Sequence, residues 1–377
     1  MTIDTLTDAS VDSRPCRVMV VDDSAVARGI VTRTLEQESG IKVVASAPNG
    51  VMALKAMMNH EIDVVVLDIE MPELDGMAAL PKLLAVDPDV KIIMASAASH
   101  RDADIAMKAM AIGAVDFVQK PTAGLGGAES FRSELVAKVK LHAARRASAG
   151  AGAGSGTRVL PSPKVAKPIA PQRTAGSRSR KIERPDIIAI GSSTGGPQAL
   201  AEVLKNLAPS VHQPILVTQH MPASFTALLA EHMSRYSGRP ASEARDGDVL
   251  RSDHIYIAPG GKHLLIESRA AGGAIIRLDD GPPENSCKPA VDPMLRSLAR
   301  IYKNRLLAVI LTGMGCDGLR GCEEVVSEGG NVLAQDQESS VVWGMPGAVA
   351  QAGFCSEILP LTEIGPAIVR IAGGVGK

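Results

Sequence analysis

The chain has 377 residues, 45% hydrophobic and 21% charged, with a formal net charge of -1. That length suits two domains and a connector, and the balance is that of a globular protein rather than a disordered one. No global field favours nucleic acid or a membrane surface, and aromatics at 2% leave little for a base-stacking platform.

Small aliphatic side chains must therefore fill the cores, as they do in parallel α/β sheets. The cysteines are Cys16, Cys287, Cys316, Cys322 and Cys355. Their number is odd, with no CxxC pair and no Cys/His ligand spacing. A disulfide frame or structural zinc is not expected, and a reducing cytoplasm fits. The opening stretch MTIDTLTDASVDSRPC carries acids and lacks the apolar segment of a signal peptide. No apolar run approaches the ~18–20 residues of a membrane span. A cytoplasmic protein without membrane insertion is expected.

After a tail at 1–16, residues 17–144 alternate short β-branched runs with helical patterns. The strands are RVMVVD, IKVVAS, DVVVLD, VKIIMAS and VDFV. Nearly continuous apolar strands predict a parallel sheet covered on both faces. Right-handed crossovers put every strand C-terminus on one edge, where ligands bind. Asp22 and Asp23 follow the first strand, Asp68 ends the third, Ser96 ends the fourth and Lys120 follows the fifth. Three converging carboxylates repel unless a cation joins them, and an all-oxygen set suits Mg²⁺. Lys120 and the Ser96 hydroxyl complement an anion. The chemistry suggested is phosphoryl transfer to a carboxylate. Strand-end acids also cap helices, and Asp23 before Ser24 could do only that.

Residues 145–184 are rich in Gly, Ala, Ser, Pro and basic side chains. They lack apolar periodicity and read as a flexible linker. No DNA-reading helix pair accompanies its positive charge, so a solvated tether is preferred.

Residues 185–375 return to alternating strands and helices, with strands DIIAI, PILVTQ, HIYIAP, AIIRL, LLAVILTG, NVLAQD and EILPL. A second doubly wound, mostly parallel α/β sheet is expected. AIIRL is expected to pair with HIYIAP as a hairpin-like insert. The loop IGSSTGGPQA spans the first strand-to-helix turn. A phosphate loop would need lysine where Pro197 stands, and the dinucleotide GxGxxG is absent. GxSxG does match, and it mounts Ser193 on a sharp turn. The free N–H groups of the following helix could stabilise an oxyanion.

A serine nucleophile needs a base. His220 alone ends a strand on the Ser193 edge. His254 begins a strand and belongs to the opposite edge, while His212, His232 and His263 read as surface or core residues. Asp317, in a glycine-rich loop, is the preferred orienting acid, with Asp336 as the alternative. The order Ser, His, Asp differs from that of α/β-hydrolases, so that fold is not expected; such triads are defined by geometry. Cysteine offers no rival nucleophile, and Cys316 reads as a small, at least partly buried filler.

VVDDSAVAR, VVVLDIEMPELDG, MASA and DFVQKP resemble, in order, the motifs of bacterial response-regulator receiver domains, a flavodoxin-like (βα)5 fold. By that resemblance Asp68 is the phosphoacceptor, and Asp22, Asp23, Asp68 and the Glu70 backbone carbonyl hold Mg²⁺. Lys120 contacts the phosphoryl group, Ser96 reports it, and Phe117 is the switch aromatic. IAIGSSTGG, VTQHMPASFT, IYIAPG, AVDPMLRSLA, VILTGMGCDG and VVWGMPGAV resemble the CheB family of chemotaxis protein-glutamate methylesterases. That resemblance makes Ser193 the nucleophile, His220 the base, Asp317 its partner and the Met314 N–H an oxyanion donor. The family commonly has a small non-hydroxylic residue where Ser192 stands, and register favours Ser193. The resemblance implies hydrolysis of glutamate methyl esters on chemoreceptors, with methanol released, and deamidation of receptor glutamines. Ester hydrolysis should need no cofactor. A chemotaxis histidine kinase would supply phosphate, the receiver would restrain the catalytic domain until phosphorylated, and the protein should be a monomer. A C-terminal domain that only binds a partner or nucleic acid is the other class; the Ser/His/Asp edge argues against it.

Overall fold

A computed structural model describes residues 14–96, 100–120, 127–151, 183–207, 209–269 and 272–373. The chain divides into two compact units, Met1–Gly154 and Ser155–Lys377.

The first unit runs β1 (Cys16–Val21), α1 (Ala25–Glu36), β2 (Ile41–Ala47), α2 (Gly50–Asn59), β3 (Val64–Asp68), α3 (Gly76–Val86), β4 (Lys91–Ser96), α4 (His100–Ile112), β5 (Asp116–Gln119) and α5 (Gly127–Ala151). Its strands pair in parallel in the order β2-β1-β3-β4-β5. This is the flavodoxin-like order, with its switch point between β1 and β3. Val18, Val20, Val64, Val66 and Ile93 meet Leu35, Phe131 and Leu135 from the helices in one core. Three helices start on a side-chain cap: Ser24, Asn49 and Asp75 accept from the N–H of Ala27, Met52 and Ala78. The helices are thus held where each strand ends.

The second unit runs β6 (Ile187–Ser192), α6 (Gly196–Lys205), β7 (Ile215–Gln219), α7 (Ala223–Ser237), β8 (Ala241–Glu243), β9 (Ile255–Ile257), β10 (His263–Ser268), β11 (Ala274–Asp279), α8 (Val291–Tyr302), β12 (Leu306–Ile310), α9 (Leu319–Ser327), β13 (Asn331–Gln335), α10 (Met345–Gln351), β14 (Glu357–Leu359) and α11 (Leu361–Ala372). A seven-stranded sheet has the order β14-β13-β12-β6-β7-β9-β8, with every adjacent pair parallel. The order reverses between β6 and β12, so the ligand crevice is expected above those two strand ends. Leu216, Tyr256, Ile276, Met294, Leu295, Leu298 and Val332 share the core. Each large apolar side chain buried there contributes ~1.5–3 kcal/mol.

The structure departs from the sequence expectations in three places. AIIRL, as β11, pairs antiparallel with β10 and not with β9, which belongs to the main sheet. The strands β8 and β10 have no counterpart in the expected set. Helix α5 continues past 144 to Ala151, because AARRASAGA is rich in alanine, the strongest helix former. Residues 152–182, most of the expected linker, lie outside the described residues. Among the described residues no helix is long and apolar enough to cross a membrane.

Candidate active site and acidic pocket

In the first unit the expected residues converge. Ligand oxygens of Asp22, Asp23 and Asp68 lie within 4.8 Å of one another. Lys120 Nζ bridges Asp22 Oδ2 and Asp68 Oδ1, 2.6 Å from each. Burial pushes the Asp68 carboxyl above its usual range against the pull of Lys120. Burial likewise opposes the charge on Lys120, but both carboxylates outweigh it and raise its pKa. The three carboxylates form a hard oxygen set that fits Mg²⁺. The Glu70 carbonyl accepts no hydrogen bond among the described residues. Ser96 is fully buried, and its hydroxyl has no partner among the described residues; such a group needs one. Phe117 is buried under the Lys138 ammonium, 4.9 Å from its ring centre.

In the second unit the loop after β6 separates its two serines. Ser192 is 0% exposed and donates its hydroxyl to Gln219 Oε1 at 2.7 Å. The same amide turns its Nε2 to the carbonyl of Ser193, 2.8 Å away. Ser193 is half-buried, and its hydroxyl has no hydrogen-bond partner among the described residues. Ser192 is therefore a structural residue and Ser193 an available one. The turn needs Gly195, whose φ of 76° lies in the left-handed region. From the β12 side Gly313 comes so close that a Cβ there would stand 2.9 Å from Ser193 Cβ. The N–H groups of Thr194 and Met314 have no partner among the described residues.

His220 follows β7, its N–H donating to the Ser192 carbonyl at 3.1 Å. Its Nε2 meets Asp317 Oδ2 at 2.7 Å. Its Nδ1 faces the Cys287 sulfur at 3.3 Å. Sequence reasoning missed that contact, and Cys287 becomes a nearby thiol to be tested. Burial disfavours charge on the ring, yet the bonds to Asp317 and Cys287 prevail and raise its pKa to about 9. Asp317 is 2% exposed. Burial would raise its pKa, but the His220 bond and charge and the Val291 and Asp292 N–H groups hold it below the usual carboxylate range. Asp336, the alternative acid, is spent on Ser339, whose N–H and hydroxyl it accepts at 2.9 and 2.6 Å.

The other histidines stand elsewhere. His254 lies at the N-terminal end of β9, bonded to Ser242, and His212 is exposed beside Asp253. His232 and His263 are buried. His263 accepts from the Ala290 N–H and donates to the Pro282 carbonyl. Cys316 is exposed, not the filler expected. Asn285 and Cys287 went unread because their turn matches no motif of nucleophile or base, and Asp292 because it lies inside the first turn of α8.

Residues 188–368 match the family described as CheB methylesterase, and residues 18–125 the response regulator receiver domain. A protein-glutamate methylesterase/protein-glutamine glutaminase of Paramagnetospirillum magneticum is 55% identical over 94% of this chain and 96% of its own. The chain belongs to this family. A relative of the same description from Azospirillum brasilense is 54% identical over 95% of this chain and 93% of its own. The solved Thermotoga maritima CheB methylesterase catalytic domain is 41% identical, covering 49% of this chain and 97% of that one, at a TM-score of 0.48. Family membership accounts for both units and their order.

The raised pKa of His220 can be tested directly. Its ring should titrate near 9 by NMR, and Asp317→Asn should lower that value, because burial is then opposed by the Cys287 contact alone. A ring that titrates near 6.5 in both proteins contradicts the pairing. The linked stability is fully present below about pH 6.5 and is lost as pH rises through about 9.

Proposed function

We propose that the second unit is a serine hydrolase acting on glutamate methyl esters and glutamine side chains of chemoreceptors, controlled by phosphorylation of Asp68. The observation that carries the catalytic reading is the His220–Asp317 pair, 2.7 Å long, on the same sheet edge as the unpartnered Ser193 hydroxyl.

Asp317 occupies Nε2, so the proton goes to Nδ1, which rests against the Cys287 sulfur and exchanges that contact for Ser193 Oγ. Ser193 Oγ attacks the ester side-chain carbonyl as its proton passes to His220 Nδ1. The carbonyl electrons move onto oxygen, and the N–H groups of Met314 and Thr194 are free to stabilise that charge. As the C–O bond breaks, His220 returns the proton and methanol leaves. Water, deprotonated by the same nitrogen, cleaves the acyl-Ser193 ester and restores glutamate. With a glutamine side chain the leaving group is ammonia. Asp317 orients the ring and stabilises its charged form without taking the proton.

In the first unit Asp22, Asp23, Asp68 and the Glu70 carbonyl would hold Mg²⁺, which offsets the charge of a phosphoryl group when bound. Asp68 accepts the phosphoryl group as an acyl phosphate. Lys120 exchanges its Asp68 contact for the new oxygens, and the Ser96 hydroxyl gains the partner it lacks. A chemotaxis histidine kinase supplies the phosphate, and the site of action is the cytoplasm. The domain division proposed is 17–144 for the receiver, 145–184 for the connecting segment, into which α5 runs as far as Ala151, and 185–375 for the esterase.

Ser193→Ala should lower turnover of a receptor methyl ester roughly a thousandfold or more, while Ser192→Ala and Cys287→Ala remain active. An inactive Cys287→Ala beside an active Ser193→Ala would move the nucleophile to the thiol. With a base of pKa about 9, only about one His220 in a hundred is neutral at pH 7. The kcat/KM should therefore climb nearly tenfold per pH unit from 7 to 8 and level off near 9; a flat profile contradicts the assignment. Asp68→Ala should abolish stimulation by a small phosphodonor and leave basal hydrolysis intact. Stimulation that survives the substitution contradicts control through Asp68.

A further inference from the structure

The segment between β11 and α8 holds a tight turn under load. Glu284 and Cys287 exchange backbone hydrogen bonds of 3.1 and 2.9 Å. Between them Asn285 and Ser286 stand at φ 51° and 62°. Side-chain-bearing residues rarely hold that region, and asparagine tolerates it best. Arg296 of α8 grips Glu284 through two bonds of 2.6 Å. Asn285 Nδ2 is thereby aimed at two carboxylates at once, 2.9 Å from Asp317 Oδ1 and 2.9 Å from Asp292 Oδ2. An amide nitrogen carries two hydrogens, one for each acid.

Those acids need a common donor. Asp317 and Asp292 are 2% and 1% exposed, and like charges so placed repel. Burial, reinforced by the Asp317 charge, raises the Asp292 pKa, whereas Asp317 is held low. Asp317 Oδ1 also accepts from the N–H groups of Asp292 and Gly318, at 3.1 and 3.0 Å. With three donors on Oδ1, the plane of the carboxylate is set, and Oδ2 meets His220. Asn285 itself is exposed, so it closes the outer side of this cluster without being part of the core.

We propose that Asn285 is a positioning residue for the hydrolysis, its amide bridging Asp317 and Asp292 so that Oδ2 stays on His220. The role rests on the reading of Ser193, His220 and Asp317 as catalytic. Two substitutions isolate the amide. Asn285→Gly keeps the left-handed backbone and removes the donor. Asn285→Asp keeps the shape and puts an acceptor where the donor was.

The full chain is assayed on a peptide bearing a glutamate 5-methyl ester, at saturating and limiting concentrations. Asn285→Gly should lower kcat tenfold or more with KM within twofold, and the His220 ring should titrate below its wild-type value by NMR. Asn285→Asp should cost more than Asn285→Gly, because it adds a third carboxylate. Wild-type kcat in both variants, an Asn285→Asp more active than Asn285→Gly, or a kcat loss with an unmoved His220 titration each overturns the positioning role. Asp317→Asn runs alongside. If it too keeps wild-type kcat, the catalytic reading fails; if it alone is inactive, only the role of Asn285 fails.

Discussion

Burying the Asp317 carboxylate constrains the whole catalytic edge. An ionised carboxylate taken out of water costs several kcal/mol unless it is paired and hydrogen-bonded. Asp317 receives five donors: His220 Nε2, Asn285 Nδ2 and the N–H groups of Val291, Asp292 and Gly318. Two of these N–H groups open α8, which lacks a side-chain cap of its own. The carboxylate caps that helix from another part of the chain, and the helix dipole favours its charge. Asp292, in the first turn of α8, does the same for α9 by accepting from the Gly321 N–H at 2.6 Å. The two helices are cross-capped by two acids, and Asn285 bridges the acids. The His220 ring is therefore oriented by tertiary structure rather than by its own loop.

Both units apply one rule of parallel sheets to different chemistry. Strand ends at a switch point gather side chains distant in sequence. In the first unit this brings together Asp22, Asp68 and Lys120, a charge set suited to a phosphoryl group. In the second it pairs His220 with Asp317 and mounts Ser193 on the same sheet edge, residue types suited to acyl transfer. The pKa directions follow the tasks. Asp68 is pushed up by burial and Asp317 held down by its donors, so the same residue type is prepared for two roles.

Much of this was legible because strand ends are legible. Runs such as DVVVLD and ILVTQH announce both the strand and the residue that emerges from it. Asp317 against Asp336 was not decidable that way, since both follow strands on the same edge; the choice lies in Ser339, which claims Asp336. Asn285 and Cys287 were hidden in a turn with non-glycine residues at positive φ, where no periodicity marks the contact. The short strands β8 and β10 were missed because three residues, or a run opened by Gly-Gly-Lys, read as turn. Helix α5 outlasted its expected end because alanine propensity there outweighed glycine-rich composition.

The central claim is that Ser193 carries the acyl group. Incubating the full chain with a slowly deacylating ester, quenching in acid and mapping the adduct by mass spectrometry tests it most directly. The account predicts an acyl group on Ser193 at a level that rises within the first turnover. An adduct on Cys287 or Ser192, or turnover with no adduct on Ser193, would contradict it.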